Sequence, residues 1–207
     1  MKKIEIDTFL KFRFLSNPHF SPDGTKIAFT VSVPDRETNG YLSDLYLYDL
    51  GKKTVSRVTC SGDAKTWSWT AENTLIFTAA RTAALKKEKE NGTSFLYEIS
   101  PSGGEAQCIT SIPATFTGIR LLPDGRYLLT IRHDNYRDTR KKSYEVFDEL
   151  PFWANGQGIV NKKRTRLAVY DPENGSCEIV TPDYENVENS WVEGDDTILY
   201  VSSLYTD

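Results

Sequence analysis

The segment His19 to Ser32, HFSPDGTKIAFTVS, constrains this chain more than any other feature, because it recurs. Pro22-Asp23-Gly24 supplies a tight turn: proline presets φ at the first corner, and Gly24 is free to take the left-handed conformation that closes a hairpin. After the turn, Ile27, Phe29, Val31 and Val33 alternate with Ala28, Thr30 and Ser32, which is the two-residue period of a strand. The same hairpin returns as WSWTAENTLIFTAA from Trp67, as IRLLPDGRYLLTIR from Ile119, with Pro123-Asp124-Gly125 at its turn, and as SWVEGDDTILYVSS from Ser190. Four copies of one hairpin define a repeat architecture.

A second hairpin follows the first in each repeat. DLYLYDLGKKTVSRVT (Asp44 to Thr59), SFLYEISPSGGEAQCIT (Ser94 to Thr110) and RLAVYDPENGSCEIVT (Arg166 to Thr181) each break once at a glycine-containing turn. Every repeat is therefore four short antiparallel strands. Measured from His19, Trp67, Ile119 and Ser190, the repeats lie 48, 52 and 71 residues apart. Four strands per 40–50 residues is the pattern of a β-propeller blade. The sequence thus predicts an all-β chain, a partial β-propeller of about three and a half four-stranded blades. Residues 1–17 form a lead-in with a short helix capped by Asp7 or Thr8, and 18–207 the propeller. Blade 1 spans 18–60, blade 2 64–111, blade 3 116–182 with an insert at 132–165, and half of blade 4 189–207.

In blades that start from the centre, the links between strands two and three share one rim with the links between blades. Those links are Pro34 to Ser43, the charged Arg81 to Thr93, and the long Arg132 to Thr165, so elaboration is expected on that rim, where partners and substrates are met. Closed propellers have four to eight blades. The count here predicts either a longer parent polypeptide or a homodimer in which two copies complete a ring. In blade 4, Ile198 and Tyr200 or else Leu199 and Val201 are expected to lack a packing neighbour.

A net charge of −4 and a pI near 5.4 argue against a nucleic-acid partner, which needs a clustered basic surface. The one basic run, Arg137 to Lys142, is interrupted by Asp138 and reads as a solvated loop. Charged residues follow Met1-Lys2-Lys3 too closely for a signal peptide, and no apolar stretch approaches a membrane span, so a cytoplasmic protein without membrane contact is expected. Cys60, Cys108 and Cys177 match no zinc-ligand spacing and read as small residues of equivalent outer strands. No cofactor and no metal is expected: Glu193-Gly194-Asp195-Asp196 occupies a hairpin turn and lacks the alternating oxygen ligands of a calcium loop.

FLSNPHFSPDGTKIAFTVS, followed by DLYLYDLGKKTVSRVT, resembles the start of the N-terminal propeller in the prolyl oligopeptidase family of serine peptidases, in its acylaminoacyl-peptidase and dipeptidyl-aminopeptidase-like branch. The insert from Tyr144 to Asp171, YEVFDELPFWANGQGIVNKKRTRLAVYD, is similar to a segment of that branch. The resemblance implies a parent enzyme in which a propeller caps an α/β-hydrolase domain and controls access of peptide substrates to a Ser-Asp-His triad. No catalytic residue carries over to this chain. A nucleophile elbow needs G-x-S-x-G, whereas Ser102 sits in PSGG and Ser176 in NGSC; His133 and Asp134, being adjacent on a strand end, point opposite ways. Trp67, Trp69 and Trp191 read as packing between blades. Trp153, in the insert, and Glu185 and Glu188, between blades 3 and 4, are the candidates for substrate or domain contact. The S-P-D-G turn is also a feature of TolB-type propellers, so the alternative is a free-standing TolB- or WD-repeat-like binding module.

Overall fold

The computed structural model describes residues 5–90, 92–134, 144, 146–147, 149–155, 157–194 and 197–205. The basic run 137–142 and the turn residues Asp195 and Asp196 lie outside them. Two compact units make up the chain, Met1–Ala114 and Thr115–Asp207.

Unit 1 begins with a 3-10 helix, Ile6–Lys11, in which the Glu5 N–H donates to Thr8 Oγ1 at 3.0 Å. Its first sheet runs in the order β1 (Phe14–Phe20), β2 (Lys26–Asp35), β3 (Gly40–Asp49), β4 (Thr54–Arg57), all antiparallel. Strand β1 starts inside the expected lead-in and carries a bulge at Asn17, φ 56°. The turn between β1 and β2 is built by Asp23, whose Oδ1 accepts from Ser21 Oγ (2.6 Å), Thr25 N (3.0 Å) and Thr25 Oγ1 (2.9 Å) while Gly24 sits at φ +68°.

The link expected at Pro34 to Ser43 is mostly strand. Val33 pairs with Leu42, Pro34 with Tyr41 and Asp35 with Gly40, so the connection shrinks to a tip closed by Asp35 Oδ2, which accepts from Thr38 N (3.0 Å) and Thr38 Oγ1 (2.5 Å). Pro34 fits there because β1 pairing ends at Ser32, leaving one flank of β2 open where a missing N–H is tolerated.

The second sheet runs β5 (Trp67–Trp69), β6 (Leu75–Thr78), β7 (Ser94–Ile99), β8 (Gln107–Ile112), with helix α1 (Ala83–Glu90) in the link between β6 and β7. Asn73, φ 60°, takes the left-handed place that glycine holds in the first hairpin.

The core of unit 1 forms where these sheets face each other: Trp67, Trp69, Leu75, Phe77, Phe95 and Tyr97 pack with Ala28, Leu45 and Leu47. On β2 the small residues, not the large ones, make this contact. Ala28 and Thr30 are buried while Ile27 and Phe29 are half-buried, because two tryptophans occupy the space opposite. Their indole N–H groups remain satisfied, Trp67 Nε1 donating to Thr30 Oγ1 (2.9 Å) and Trp69 Nε1 to the His19 carbonyl (3.2 Å). Asp23 N donates to Asn73 Oδ1 at 3.0 Å, tying one hairpin turn to the next.

Unit 2 holds a four-stranded sheet ordered β9 (Phe116–Leu121), β10 (Tyr127–Asp134), β13 (Lys163–Tyr170), β14 (Cys177–Ile179). A two-residue ribbon, β11 (Trp153–Ala154) with β12 (Gly158–Ile159), lies in the insert, and β15 (Glu185–Glu193) pairs with β16 (Thr197–Leu204). That last hairpin rests Val187, Val192 and Ile198 against Leu122, Leu128, Leu167 and Val169. Trp191 pairs with Leu199 on the opposite face and is 46% exposed, unlike Trp67 and Trp69. Cys108 and Cys177 lie in β8 and β14, whereas Cys60 follows β4 in a connection; all three are free thiols.

Candidate functional site

At the end of the unit 2 sheet where β10 leads into the insert, the chain encloses a cavity of about 310 Å³. One side is the end of β10 and the start of β13; the other is the ribbon, with Asn186 of β15 and Tyr205 beyond β16 completing the wall. Antiparallel register sets the first side residue by residue: Arg132 stands opposite Thr165, His133 opposite Arg164 and Asp134 opposite Lys163.

Arg164 is the centre of the wall. Its Nη2 donates to Glu149 Oε2 at 2.6 Å, with side chains only 4% and 9% exposed, and its guanidinium lies 4.1 Å from the Tyr205 ring centroid. One arginine thus joins three segments remote in sequence: the insert, β13 and the end of the β16 hairpin. A buried pair must offset the cost of desolvating both charges, and such pairs are best attested where they specify one arrangement over its competitors. Arg164 Nε and Glu149 Oε1 are both closed off and without hydrogen-bond partners among the described residues. Two residues along, Arg166 donates from Nη1 to Asp183 Oδ1 (2.5 Å) and from Nη2 to the Thr181 carbonyl.

Trp153 projects from β11, opposite Ile159 and 55% exposed, on an insert that also exposes Phe147, Leu150 and Phe152. It does not line the cavity. Glu185 and Glu188 are strand residues of β15, which starts before the expected hairpin. Glu185 Oε2 accepts from Ser202 Oγ (2.9 Å), and Glu188 accepts from Ser203 Oγ. Hydrogen bonding to Glu185, with a smaller effect of burial, raises the Tyr200 phenol above its ordinary pKa. Pro22-Asp23-Gly24 and Pro123-Asp124-Gly125 build hairpin turns, Gly125 at φ +88° and Asp124 paired with Arg126 at 2.6 Å. Among the described residues, no three His, Cys, Asp or Glu side chains gather as metal ligands would, and no helix is long and apolar enough to cross a membrane.

Arg164, Glu149, Asn186 and Tyr205 do not stand out in the sequence. A signal for Arg164 was there: in Lys163-Arg164-Thr165-Arg166-Leu167 the strand period puts both arginines on the face of Ala168 and Tyr170, where they are buried. Glu149 and Tyr205 carry no such pattern, since only the folded insert and hairpin bring them near.

A scan of family models finds no match. The uncharacterized peptidase YuxL of Bacillus subtilis (strain 168) is 26% identical over 194 residues, covering 87% of this chain and 28% of that protein. Among solved structures, an acylaminoacyl peptidase of Pyrococcus horikoshii superposes on 93% of this chain and 28% of its own, with TM-score 0.65 and 17% identity. This chain has the fold of a partial β-propeller. It resembles the propeller of that peptidase family, as the repeat sequence indicates. The tricorn protease matches 87% of this chain and 16% of its own, TM-score 0.52 and 19% identity. A TolB-like protein of Agrobacterium tumefaciens matches 89% and 52%, TM-score 0.51 and 14% identity. The chain therefore spans just over a quarter of the curated peptidase and of the acylaminoacyl peptidase that it matches.

Proposed function

We propose that this chain is the non-catalytic propeller portion of a cytoplasmic serine oligopeptidase, gating and orienting peptide substrates for an α/β-hydrolase domain of the same polypeptide. The observation that carries this reading is the elaboration of the links between second and third strands: a lengthened β2–β3 ribbon in blade 1, helix α1 in blade 2, and in blade 3 an insert that carries exposed aromatics and contributes to a cavity wall. Elaborated links of that kind are where a second domain can be held and the path to it narrowed. The likeness to peptidases over nearly the whole chain supports the reading, as does the absence from this sequence of any G-x-S-x-G elbow.

The test compares the uninterrupted gene product with a version whose residues 146–160 are replaced by a short Gly-Ser loop. Turnover of dipeptide and of 30-residue substrates is measured with and without a serine-directed fluorophosphonate. The wild type should hydrolyse the short substrate in a fluorophosphonate-sensitive way and discriminate against the long one, and the shortened insert should weaken that discrimination. A gene product without serine-dependent hydrolysis would overturn the reading in favour of a TolB-like binding propeller.

A further inference from the structure

Three basic side chains, Arg132, Lys163 and Arg164, line the cavity of unit 2 against two carboxylates, Asp134 and Glu149. Glu149 accepts from Arg164 through Oε2 while its Oε1 is buried, and Asp134 has an interaction of its own. The donors are less engaged. The Arg132 guanidinium has no ion-pair or hydrogen-bond partner among the described residues, and Lys163 Nζ makes a single hydrogen bond, to the Ile159 carbonyl at 3.2 Å. Asn186 is oriented by its surroundings. The Thr165 N–H lies 2.8 Å from its side chain, so the atom facing that donor is the oxygen, which leaves Nδ2 as a donor without a partner among the described residues. Thr165 also stands opposite Arg132 across the β10–β13 pair, so Arg132 and Asn186 flank the same residue.

We infer that this cavity binds the free C-terminal carboxylate of a peptide, with Arg132, Lys163 and Asn186 donating to its oxygens. Two cations and an amide N–H suit an oxyanion, for which charge-assisted bonds are the strong ones. The rest of the wall selects among oxyanions: Pro151, Ala154, Ile159 and Val160 put an apolar surface beside the donors, which fits the side chain of a terminal residue and gives a bare inorganic ion nothing. Arg164, held by Glu149 and Tyr205, keeps the wall in place. This inference leans on the peptidase reading only for the choice of a peptide as ligand, because the site itself needs no hydrolase domain.

Calorimetric titration of the full chain tests it, using acetyl-Ala-Ala-Leu with a free carboxylate, the same peptide as its C-terminal amide, and inorganic phosphate. The acid should bind at least about tenfold more tightly than the amide, the loss expected when charge-assisted bonds are removed. Arg132→Gln, at an exposed position, should lower acid affinity by a similar factor with an unchanged melting temperature. Asn186→Asp keeps the acceptor for Thr165, so it should fold, yet it should lose binding altogether by setting a negative charge against the ligand. Equal affinity for acid and amide, wild-type affinity in Arg132→Gln, no binding of the acid, or tighter binding of phosphate than of the peptide acid would each overturn the assignment. Carboxylate-dependent binding by this chain, together with a gene product that hydrolyses nothing, would remove the peptidase reading and leave the site standing. Hydrolysis without carboxylate preference would remove the site alone.

Discussion

Gly24 and Gly125 hold φ of +68° and +88°, and a Cβ added at either would meet no atom within 4 Å. Valine at these corners is therefore opposed by backbone conformation alone, about 1–2 kcal/mol for an L-residue in the left-handed region. Urea unfolding of Gly24→Val and Gly125→Val should show losses of that size, and an unchanged midpoint in both would contradict the turn geometry. The aspartate beside each glycine makes the same corners sensitive to acid. Hydrogen bonds from Ser21, then Thr25, lower Asp23 from 3.8 to about 2, and Arg126 lowers Asp124. A carboxyl depressed in the folded state stabilises it above the unfolded pKa and ceases to do so as pH falls through the folded one. The Asp23 contribution is thus present above pH 4 and disappears between pH 3.8 and about 2. Thermal melts across that window should fall more steeply for the wild type than for Asp23→Asn, and parallel curves would show that the bonds do not act in solution.

Two elements recur with their charges exchanged. In blade 1 the Leu45 N–H donates to Thr59 Oγ1 (3.0 Å), and Asp44 before it pairs with Arg57 at 2.5 Å; in blade 3 the Leu167 N–H donates to Thr181 Oγ1 (3.2 Å), and Arg166 before it pairs with Asp183 at 2.5 Å. The recurring threonine thus anchors the end of each of these blades to its third strand. The insert is held differently, through Arg164 and Glu149. Glu149→Gln leaves a buried guanidinium without its counter-charge and should cost about 3–5 kcal/mol. Removing the solvent-screened Arg126–Asp124 pair should cost far less. Denaturant titration of Glu149→Gln beside Arg126→Ala checks the contrast, and equal losses would mean that the insert is not pinned through Arg164.

At the scale of the whole molecule, the β15–β16 hairpin resolves which of its two faces lacks a neighbour. Ile198 and Val192 pack inward, whereas Trp191, Leu199 and Val201 are exposed. A cluster of that kind favours association, so the isolated chain should bind an apolar dye and scatter light as a species larger than 23.5 kDa. Trp191→Lys with Leu199→Lys should reduce both signals; a stable monomer without dye binding in the parent chain would show that this face is not adhesive. The same chain should not hydrolyse acyl-peptide, dipeptide or ester substrates, since it holds no G-x-S-x-G elbow. Turnover that survives repurification and is blocked by a serine-directed fluorophosphonate would refute this.

What the sequence determined by itself was local and periodic. Turn chemistry at Pro22-Asp23-Gly24 and its copies, together with two-residue alternation, was enough to place the hairpins and their order along the chain, because those signals act over a few residues. Even within that reach Pro34 misled: it suggested a break in a strand that continues to Asp35 because the flank beside it is open. The tertiary structure decided which face of each strand is buried, since that depends on what stands opposite: two tryptophans favour Ala28 and Thr30 over Ile27 and Phe29, whereas Trp191 stays 46% exposed. It alone also decided the cavity wall. Glu149, Arg164, Asn186 and Tyr205 are separated by up to 56 positions in the chain, so no local spacing could announce them, and they act together only because an insert, a strand end and a later hairpin close on one another.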